Sequence, residues 1–372
     1  MLRQIFIPAV ALCSIAILAG CSPSQESQMP EKPTTEKQRL QQLSIAAPQA
    51  NKIPFSAEYH GKTINDHFNW LKDAGYPEVN DQAIIDYLNE ENAYFNAFLT
   101  PQKALVDTLF EEFKGRTNDV ESSVPWIEND YEYKSFYKPG EEYLTFSRRK
   151  LDSDEEVVFL SVTELAKPFD YFTMDDWEIS PNNQLIAYSY NTNGDERYRI
   201  VVKDLTSGQM LSDELTDTSG DIVFSADSQS IVYGSLASDR WYTESVKVHT
   251  LGSKQASDKA IFSESDDGFF IGFGLTSSNE YLVISTGQSE TSEVYVVPAT
   301  DFTAAPVQLV SREQQFLSKI DHANGYFYML ANDTHTNSRL AKVADAEPIY
   351  ANWETVIAGS NERYLMEMQT LI

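Results

Sequence analysis

Cysteine is nearly absent from this chain, which contains only Cys13 and Cys21. Both lie within the first 21 residues, so the rest of the chain has no cysteine for a disulfide or a cysteine-based zinc site. An exported protein of this composition has no cross-link to stabilise it in an oxidising compartment. Its stability therefore has to come from packing.

Basic residues are scarce as well. Lysine and arginine together number 28 against 56 aspartate and glutamate residues, which gives a formal net charge of −28 at pH 7. A field of that sign repels phosphate groups, so a nucleic-acid partner is not expected. The acidic runs Asp152–Glu156 and Glu264–Asp267 do not match a calcium-binding loop, and we interpret them as solvated loops.

Histidines are few, and no two of them have the H-x-x-x-H spacing of a metal site. The sequence also has no phosphate loop and no G-x-G-x-x-G motif, so it predicts neither a metal nor a cofactor. We interpret His60 and His67 as packing or surface residues, and His249 as a solvated strand position. Asp321-His322 could form part of a catalytic triad, but no nucleophile adjoins it.

The first residues of the chain predict export. Arg3 precedes an apolar stretch, Ile5–Leu18, which is short for a membrane span and typical of a signal peptide. Leu18–Cys21 reads Leu-Ala-Gly-Cys and resembles a bacterial lipobox, in which the cysteine is acylated and becomes the mature N-terminus. We therefore predict a lipoprotein signal peptide over residues 1–20 and lipidation of Cys21. The alternatives are an ordinary signal peptide that ends in cysteine and an uncleaved anchor helix.

Residues 21–50 are predicted to be a flexible tether, because Ser, Pro, Gln, Glu, Lys and Thr dominate them. The lipid on Cys21 would hold the protein on a bacterial membrane in the cell envelope, on the periplasmic side. Ser22 stands where an aspartate would indicate retention at the inner membrane, and this favours the outer membrane.

Residues 51–120 are predicted to form a helical segment. Apolar residues recur at helical spacing over residues 82–99. Thr100 and Pro101 supply an N-cap and a first-turn proline for a second helix over residues 101–114, and Gly115 is placed to end it. Both helices are amphipathic, so each must bury its apolar face against another surface.

A strand pattern recurs along the rest of the chain with a period of about 45 residues. Each copy follows a polar turn, and a second strand follows each complete copy at a similar offset. Repeats of this length, rich in β-branched and aromatic residues, are typical of propeller blades. The copies begin at Tyr143, Leu185, Ile231, Tyr281, Tyr326 and Tyr364.

The predicted fold is all-β dominated, with a β-propeller over residues 121–372 behind the N-terminal helical segment. The pattern accounts for about five blades and the opening of a sixth. The last copy is not followed by the strands that should complete it. We therefore interpret the propeller as truncated.

Residues 50–372 resemble the prolyl oligopeptidase family of serine peptidases, especially its oligopeptidase B branch. The matching residues are His60-Gly61, Ile64–Asp66, Trp70–Asp73, Asp86–Tyr94, Ile179–Pro181, Leu185–Tyr188, Lys203–Leu205, Gly208, Asp213-Glu214, Thr218–Gly220 and Thr291–Val294. The resemblance implies a seven-bladed propeller that restricts entry to small peptides and caps an α/β-hydrolase domain with a Ser, Asp and His triad. It also implies hydrolysis of short peptides, after Arg or Lys in the oligopeptidase B branch.

The hydrolase domain is not expected within this chain. Its serine would need a G-x-S-x-G nucleophile elbow, and no such motif occurs. The resemblance therefore predicts the propeller portion of a peptidase, without catalytic residues and inactive alone. In the family the helical segment packs partly against the catalytic domain. Some of its apolar side chains should therefore stay partly exposed here, namely Ile84, Leu88, Phe95, Leu109 and Phe113.

One alternative belongs to a different class of protein. A non-catalytic, lipid-anchored propeller could act as a protein-interaction platform. Such a platform would be expected to close its ring, because an open blade exposes strand edges that can pair with other chains.

Overall fold

The structure, a computed structural model, describes residues 46–76, 78–238 and 240–371. The predicted signal peptide, Cys21 and most of the predicted tether lie outside these residues. The chain divides into two compact units. The first comprises the residues up to Asn69 together with Gln82–Thr108, and the second comprises Trp70–Asp81 together with Leu109–Ile372. No helix among the described residues is both long enough and apolar enough to cross a membrane.

The N-terminal region contains a hairpin and two helices. Strand β1 (Ser56–Tyr59) pairs antiparallel with β2 (Lys62–Asn65) across a turn in which His60 and Gly61 have φ values of 50° and 72°. The helical elements that follow are a 3-10 turn (Asn69–Leu71), α1 (Gln82–Leu99), a 3-10 turn (Thr100–Gln102) and α2 (Lys103–Lys114). Two helices were predicted here, and both predictions are confirmed.

The predicted N-cap at Thr100 is wrong. Its hydroxyl donates to Asn96 O at 2.6 Å, one turn back along α1, instead of accepting from the next helix. A threonine hydroxyl within a helical run readily donates to the carbonyl four residues earlier. The chain therefore passes from α1 into α2 through a tight turn with Pro101 near its start.

The apolar faces of α1 and α2 are largely open. The five residues predicted to remain partly exposed include Ile84, which is only 3% exposed, so that prediction is wrong for this position. It is confirmed for the other four. The large apolar side chains of the two helices that are 41–62% exposed are Leu88, Phe95, Leu105, Val106, Leu109, Phe110 and Phe113.

Four-stranded antiparallel units make up the rest of the described chain, and we number them blades 1 to 5 in chain order. Blade 1 comprises β3 (Trp126–Glu128), β4 (Tyr131–Tyr137), β5 (Leu144–Lys150) and β6 (Glu156–Ser161), followed by the short helix α3 (Val162–Ala166). Blade 4 comprises β14 (Phe270–Leu275), β15 (Tyr281–Gly287), β16 (Ser292–Pro298) and β17 (Val307–Val310), and blade 5 comprises β18 (Ser318–Ala323), β19 (Tyr326–Ala331), β20 (Arg339–Ala344) and β21 (Glu354–Ile357). Further 3-10 turns lie at Gln255–Ser257, Arg312–Gln314 and Tyr350–Asn352.

Blades 2 and 3 share one continuous strand. Their strands form a single seven-stranded sheet: β7 (Thr173–Ile179), β8 (Leu185–Asn191), β9 (Tyr198–Asp204), β10 (Met210–Phe224), β11 (Ser230–Leu236), β12 (Thr243–Thr250) and β13 (Lys259–Ser263). The first half of β10 pairs with β9, and its last residues pair with β11. The register shifts between Thr218 and Ile222, so β10 serves both as the fourth strand of blade 2 and as the first strand of blade 3.

Each hydrophobic core lies between two successive blades. In β11, Ile231 and Tyr233 pack in the core shared by blades 2 and 3, whereas Val232 packs in the core shared by blades 3 and 4. All three are fully buried. Because successive side chains point to opposite faces of a strand, a strand covered on both faces reads as a continuous apolar run. The strand pattern seen in the sequence is therefore that of blades stacked face to face.

The predicted opening of a sixth blade is not confirmed. Tyr364–Met368 has no strand assignment, although Ser360 and Arg363 form an isolated bridge. Leu365 N donates to Asn337 O at 3.1 Å, which attaches this segment to blade 5. A strand forms a ladder only beside a partner, and these residues have no strand partner among those described.

Candidate functional site

Three loops of blades 2 to 4 carry polar and aromatic side chains, and we call the surface that they form the loop face. It consists of residues 192–197, 237–238 with 240–242, and 264–269. The last two loops enclose a cleft of about 220 Å³. Large side chains beside the cleft reach solvent, since Trp241 is 60% exposed and Phe270 51% exposed. Tyr242 packs edge-on against Phe270, with ring centroids 5.5 Å apart.

Arginine side chains hold the loops in place. Arg197 donates to Asp217 Oδ1 at 2.8 Å and to the backbone oxygens of Ala237 and Arg240 at 3.1 and 3.0 Å. This joins a loop of blade 2 to a loop of blade 3. Arg240 in turn contacts Tyr242 and Asp267, and both contacts raise the pKa of its guanidinium further. The guanidinium fork makes several such bonds at once, which suits it to fixing loops.

Arg312 also holds part of the loop face in place, through Glu264 and Phe269. It donates to Glu264 Oε2 and Glu293 Oε2, each at 2.6 Å, and its guanidinium stacks over the ring of Phe269 at 4.1 Å. Thr286 donates to the same Glu264 carboxylate at 2.9 Å. Glu264 was interpreted as part of a solvated acidic run, and that is wrong for this residue, because its side chain is only 6% exposed.

Carboxylates cluster where the first strands of blades 2 and 3 meet. Asp176 accepts from Trp177 N at 2.8 Å and from Ile222 N at 3.2 Å, which links β7 to β10. Burial outweighs these bonds and raises the pKa of Asp176 to about 6. Burial, helped by the charge of Asp176, raises the pKa of Glu178 to about 8. Gly220 has a φ of 101°, and a Cβ there would overlap the carboxylate of Asp175.

This arrangement can bind cations. Burial disfavours the charged form of these carboxylates and so raises their pKa values. A positive group that binds beside a carboxylate stabilises the charged form and lowers its pKa again. Exposed aromatic rings such as Trp241 also attract ammonium and guanidinium groups.

His249 is not the solvated strand position that its alternation predicted. It is 1% exposed, and its Nε2 and Nδ1 lie 3.0 Å from Asp213 Oδ1 and 2.9 Å from Asp258 Oδ1. Tyr233 donates to Asp258 Oδ2 at 2.9 Å. Buried charged groups need partners of this kind. The prediction failed because both carboxylates come from outside β12, and strand alternation does not reveal them.

The remaining histidines do not assemble a triad. His60 and His67 are exposed, as interpreted from the sequence. The carboxylate of Asp321 accepts from Ser277 N and Oγ at 2.8 and 2.7 Å, and does not contact the imidazole of His322. Ser360 lies in the bridge to Arg363. No catalytic residue was predicted in this chain, and Asp321-His322 supplies no acid–base pair.

Comparison with known proteins identifies the family. Residues 48–371 match the model described as "Prolyl oligopeptidase, N-terminal beta-propeller domain". The chain belongs to the prolyl oligopeptidase family. The matched residues include the hairpin, both helices and all five blades described above.

Curated relatives of the prolyl oligopeptidase family support the same assignment. The chain is 28% identical to dipeptidyl aminopeptidase BI of Pseudoxanthomonas mexicana, over 82% of this chain and 44% of that protein. It is 29% identical to protease 2 of Moraxella lacunata, over 86% of this chain and 46% of that protein. The chain thus spans about half the length of the curated relatives it matches.

Solved structures show the same propeller fold. Oligopeptidase B from Leishmania major superposes with a TM-score of 0.78 at 22% identity, covering 85% of this chain and 47% of that one. Oligopeptidase B from Trypanosoma brucei, in a closed form with covalently bound antipain, superposes with a TM-score of 0.75 at 20% identity. At these identities the likeness concerns the fold.

Proposed function

We propose that this chain is the propeller portion of an oligopeptidase B-like serine peptidase that hydrolyses short peptides after Arg or Lys. The observation that carries the proposal is the match of residues 48–371 to the N-terminal propeller of the prolyl oligopeptidase family. In this proposal the propeller restricts which substrates reach the catalytic serine. The serine itself comes from polypeptide other than these 372 residues, because they contain no G-x-S-x-G motif.

The preference for basic peptides rests on charge. The formal charge of −28 steers cationic substrates toward the protein. Asp176 adds a carboxylate at the junction of blades 2 and 3, and burial favours the protonated form of the neighbouring Glu178. A peptide ammonium or guanidinium group that approaches them would favour their ionised form.

The test uses the complete gene product and chromogenic peptides that end in Arg, Lys, Pro or Leu. We expect kcat/KM to be highest for the Arg and Lys peptides. The double variant Asp176→Asn, Glu178→Gln should lower kcat/KM for peptides with two basic residues by about 10-fold at low salt, and by less at high salt. Its effect on neutral peptides should be small. Preference for Pro, or equal losses for basic and neutral peptides, would overturn the proposed specificity.

Anchoring through Cys21 is the second part of the proposal. A Leu-Ala-Gly-Cys sequence at residues 18–21 supports it. Two acyl chains hold a protein firmly on a membrane, whereas one chain binds only marginally. Mass spectrometry of the mature N-terminus should find residues 1–20 removed and Cys21 acylated. Cys21→Ala should release the protein from the membrane fraction, and a free Cys21 thiol in the wild type would contradict the assignment.

A further inference from the structure

Three potential metal ligands from blades 4 and 5 meet at one point. They are a carboxylate oxygen of Glu280, a ring nitrogen of His322 and a carboxylate oxygen of Asp345, all within 4.8 Å of one another. Glu280 ends the turn before β15, His322 lies in β18, and Asp345 follows β20. We propose that they bind a divalent transition-metal ion of the Zn²⁺ class and join blade 4 to blade 5.

The imidazole of His322 carries the argument. The residue is fully buried, and its Nε2 has no hydrogen-bond partner among the described residues. The nearest carboxylate oxygen, Asp345 Oδ2, lies 3.5 Å away. Two ligands bound tetrahedrally at zinc distances are about 3.4 Å apart. The pair is therefore spaced for an ion between them, and too far apart for a good hydrogen bond.

One consistent assignment of the hydrogen bonds around Ser278 leaves a lone pair on Nε2. When Thr276 Oγ1 donates to Tyr281 O at 3.3 Å, the hydrogen shared between Thr276 and Ser278 comes from Ser278. Ser278 Oγ then accepts from Glu280 N at 3.2 Å and from His322 Nδ1 at 2.8 Å. Nδ1 is the protonated nitrogen in this assignment. A metal-bound imidazole typically donates its other N–H in this way, which fixes its tautomer and orientation.

The turn that carries Glu280 is fixed to blade 5. Asp321 accepts from Ser277 N and Oγ, so the turn of blade 4 is attached to β18 immediately beside His322. The imidazole packs against the rings of Tyr281 and Phe327, and the centroid of each lies 4.8 Å from the centroid of the imidazole. These contacts hold the histidine in place before any ion arrives. Pre-positioned ligands of this kind favour binding.

The side chain of Glu280 can adjust its position to bind an ion. Glu280 is exposed, and the side chain of Asp345 is 29% exposed, so an ion can enter from solvent and retain water in its remaining positions. One imidazole and two carboxylates suit zinc and other first-row divalent ions. The same ligands would bind calcium or magnesium poorly, because those ions prefer oxygen donors alone.

Zn²⁺ titration of the complete, chelator-treated chain tests this site. We expect one equivalent to bind, with the affinity reduced at least 10-fold by either Glu280→Gln or Asp345→Asn. Co²⁺ in place of zinc should give the visible absorption of a nitrogen- and oxygen-ligated ion, and this absorption should be lost in His322→Gln. Because His322 is buried, His322→Gln could impair folding, whereas Glu280→Gln changes an exposed side chain.

Glu347→Gln and His335→Gln are the matched controls, since they alter a neighbouring exposed carboxylate and another histidine of blade 5. Both should bind zinc as the wild type does. The melting temperature should rise with zinc in the wild type and in the controls, and should not rise in Glu280→Gln. The absence of a saturable equivalent would overturn the proposal. Wild-type affinity in both Glu280→Gln and Asp345→Asn would also overturn it.

Discussion

The helices α1 and α2 differ from the blades in what covers their apolar side chains. Phe113 in α2 is 62% exposed, whereas Phe327 in blade 5 is fully buried among residues from two blades. Each of blades 1 to 4 has an apolar face that the next blade covers. The two helices have amphipathic faces that remain largely open among the described residues. Stacked repeats thus provide most of their own core, and the helices do not.

An open apolar face of this kind has a physical meaning. Soluble monomers rarely expose large contiguous apolar patches, and those that do generally use them to bind another surface. In the proposed peptidase, the hydrolase domain would cover part of α1 and α2. The blades thus cover one another's apolar faces, whereas the apolar faces of α1 and α2 remain open among the described residues.

The largest expected difference in stability comes from replacing one phenylalanine in each region with alanine. Phe327→Ala should lower the free energy of unfolding by roughly 3–5 kcal/mol, because it leaves a cavity between blades 4 and 5. Phe113→Ala should change it by no more than about 0.5 kcal/mol, since the ring is mostly in solvent already. Urea unfolding followed by tryptophan fluorescence measures both. Similar losses at the two positions would show that the face of α2 is covered.

The buried cluster of His249, Asp213 and Asp258 should be nearly as sensitive to substitution. His249→Ala removes the common partner of Asp213 and Asp258, and it should cost about 3 kcal/mol because two buried carboxylates lose a hydrogen-bond partner. His67→Ala, which alters an exposed histidine of the N-terminal region, is the control and should be nearly neutral. Thermal and urea unfolding provide the measurement. A neutral His249→Ala would mean that the two carboxylates find other partners.

A smaller effect is expected from pH. The pKa of Glu178 is raised from 4.5 to about 8 in the folded protein, so the folded state retains a proton that the unfolded state releases. The contribution of Glu178 to the free energy of unfolding is fully present below pH 4.5. It is lost as the pH rises to about 8, by at most about 1.4 kcal/mol per pH unit. Glu178→Gln should flatten the decline between pH 6 and 8. Glu362→Gln, at an exposed position, should not.

The sequence predicted the repeated strands well because both of their faces are buried. The copy at Leu185–Ser189 corresponds to β8, and the helix predicted over residues 82–99 corresponds to α1. Strand β3 has only three residues, which carry too little pattern to be identified on their own. The single strand β10 serves two blades, and only the register shift near Thr218 reveals this.

The side-chain clusters could not be predicted in the same way. Glu280 and Asp345 lie 42 and 23 residues from His322 in the sequence (322−280 and 345−322), so no short spacing motif joins them. The partners of His249 also come from separate elements. Blade stacking brings these residues together, and local sequence patterns record only what happens within a strand or helix.

We propose that this chain serves a serine peptidase without supplying its nucleophile. Labelling of the purified 372-residue chain with a fluorophosphonate probe tests it most directly, with a complete oligopeptidase B as the positive control. We expect no labelled serine in this chain and no turnover of Arg or Lys chromogenic peptides. Stoichiometric labelling of any serine in the chain would contradict the proposal.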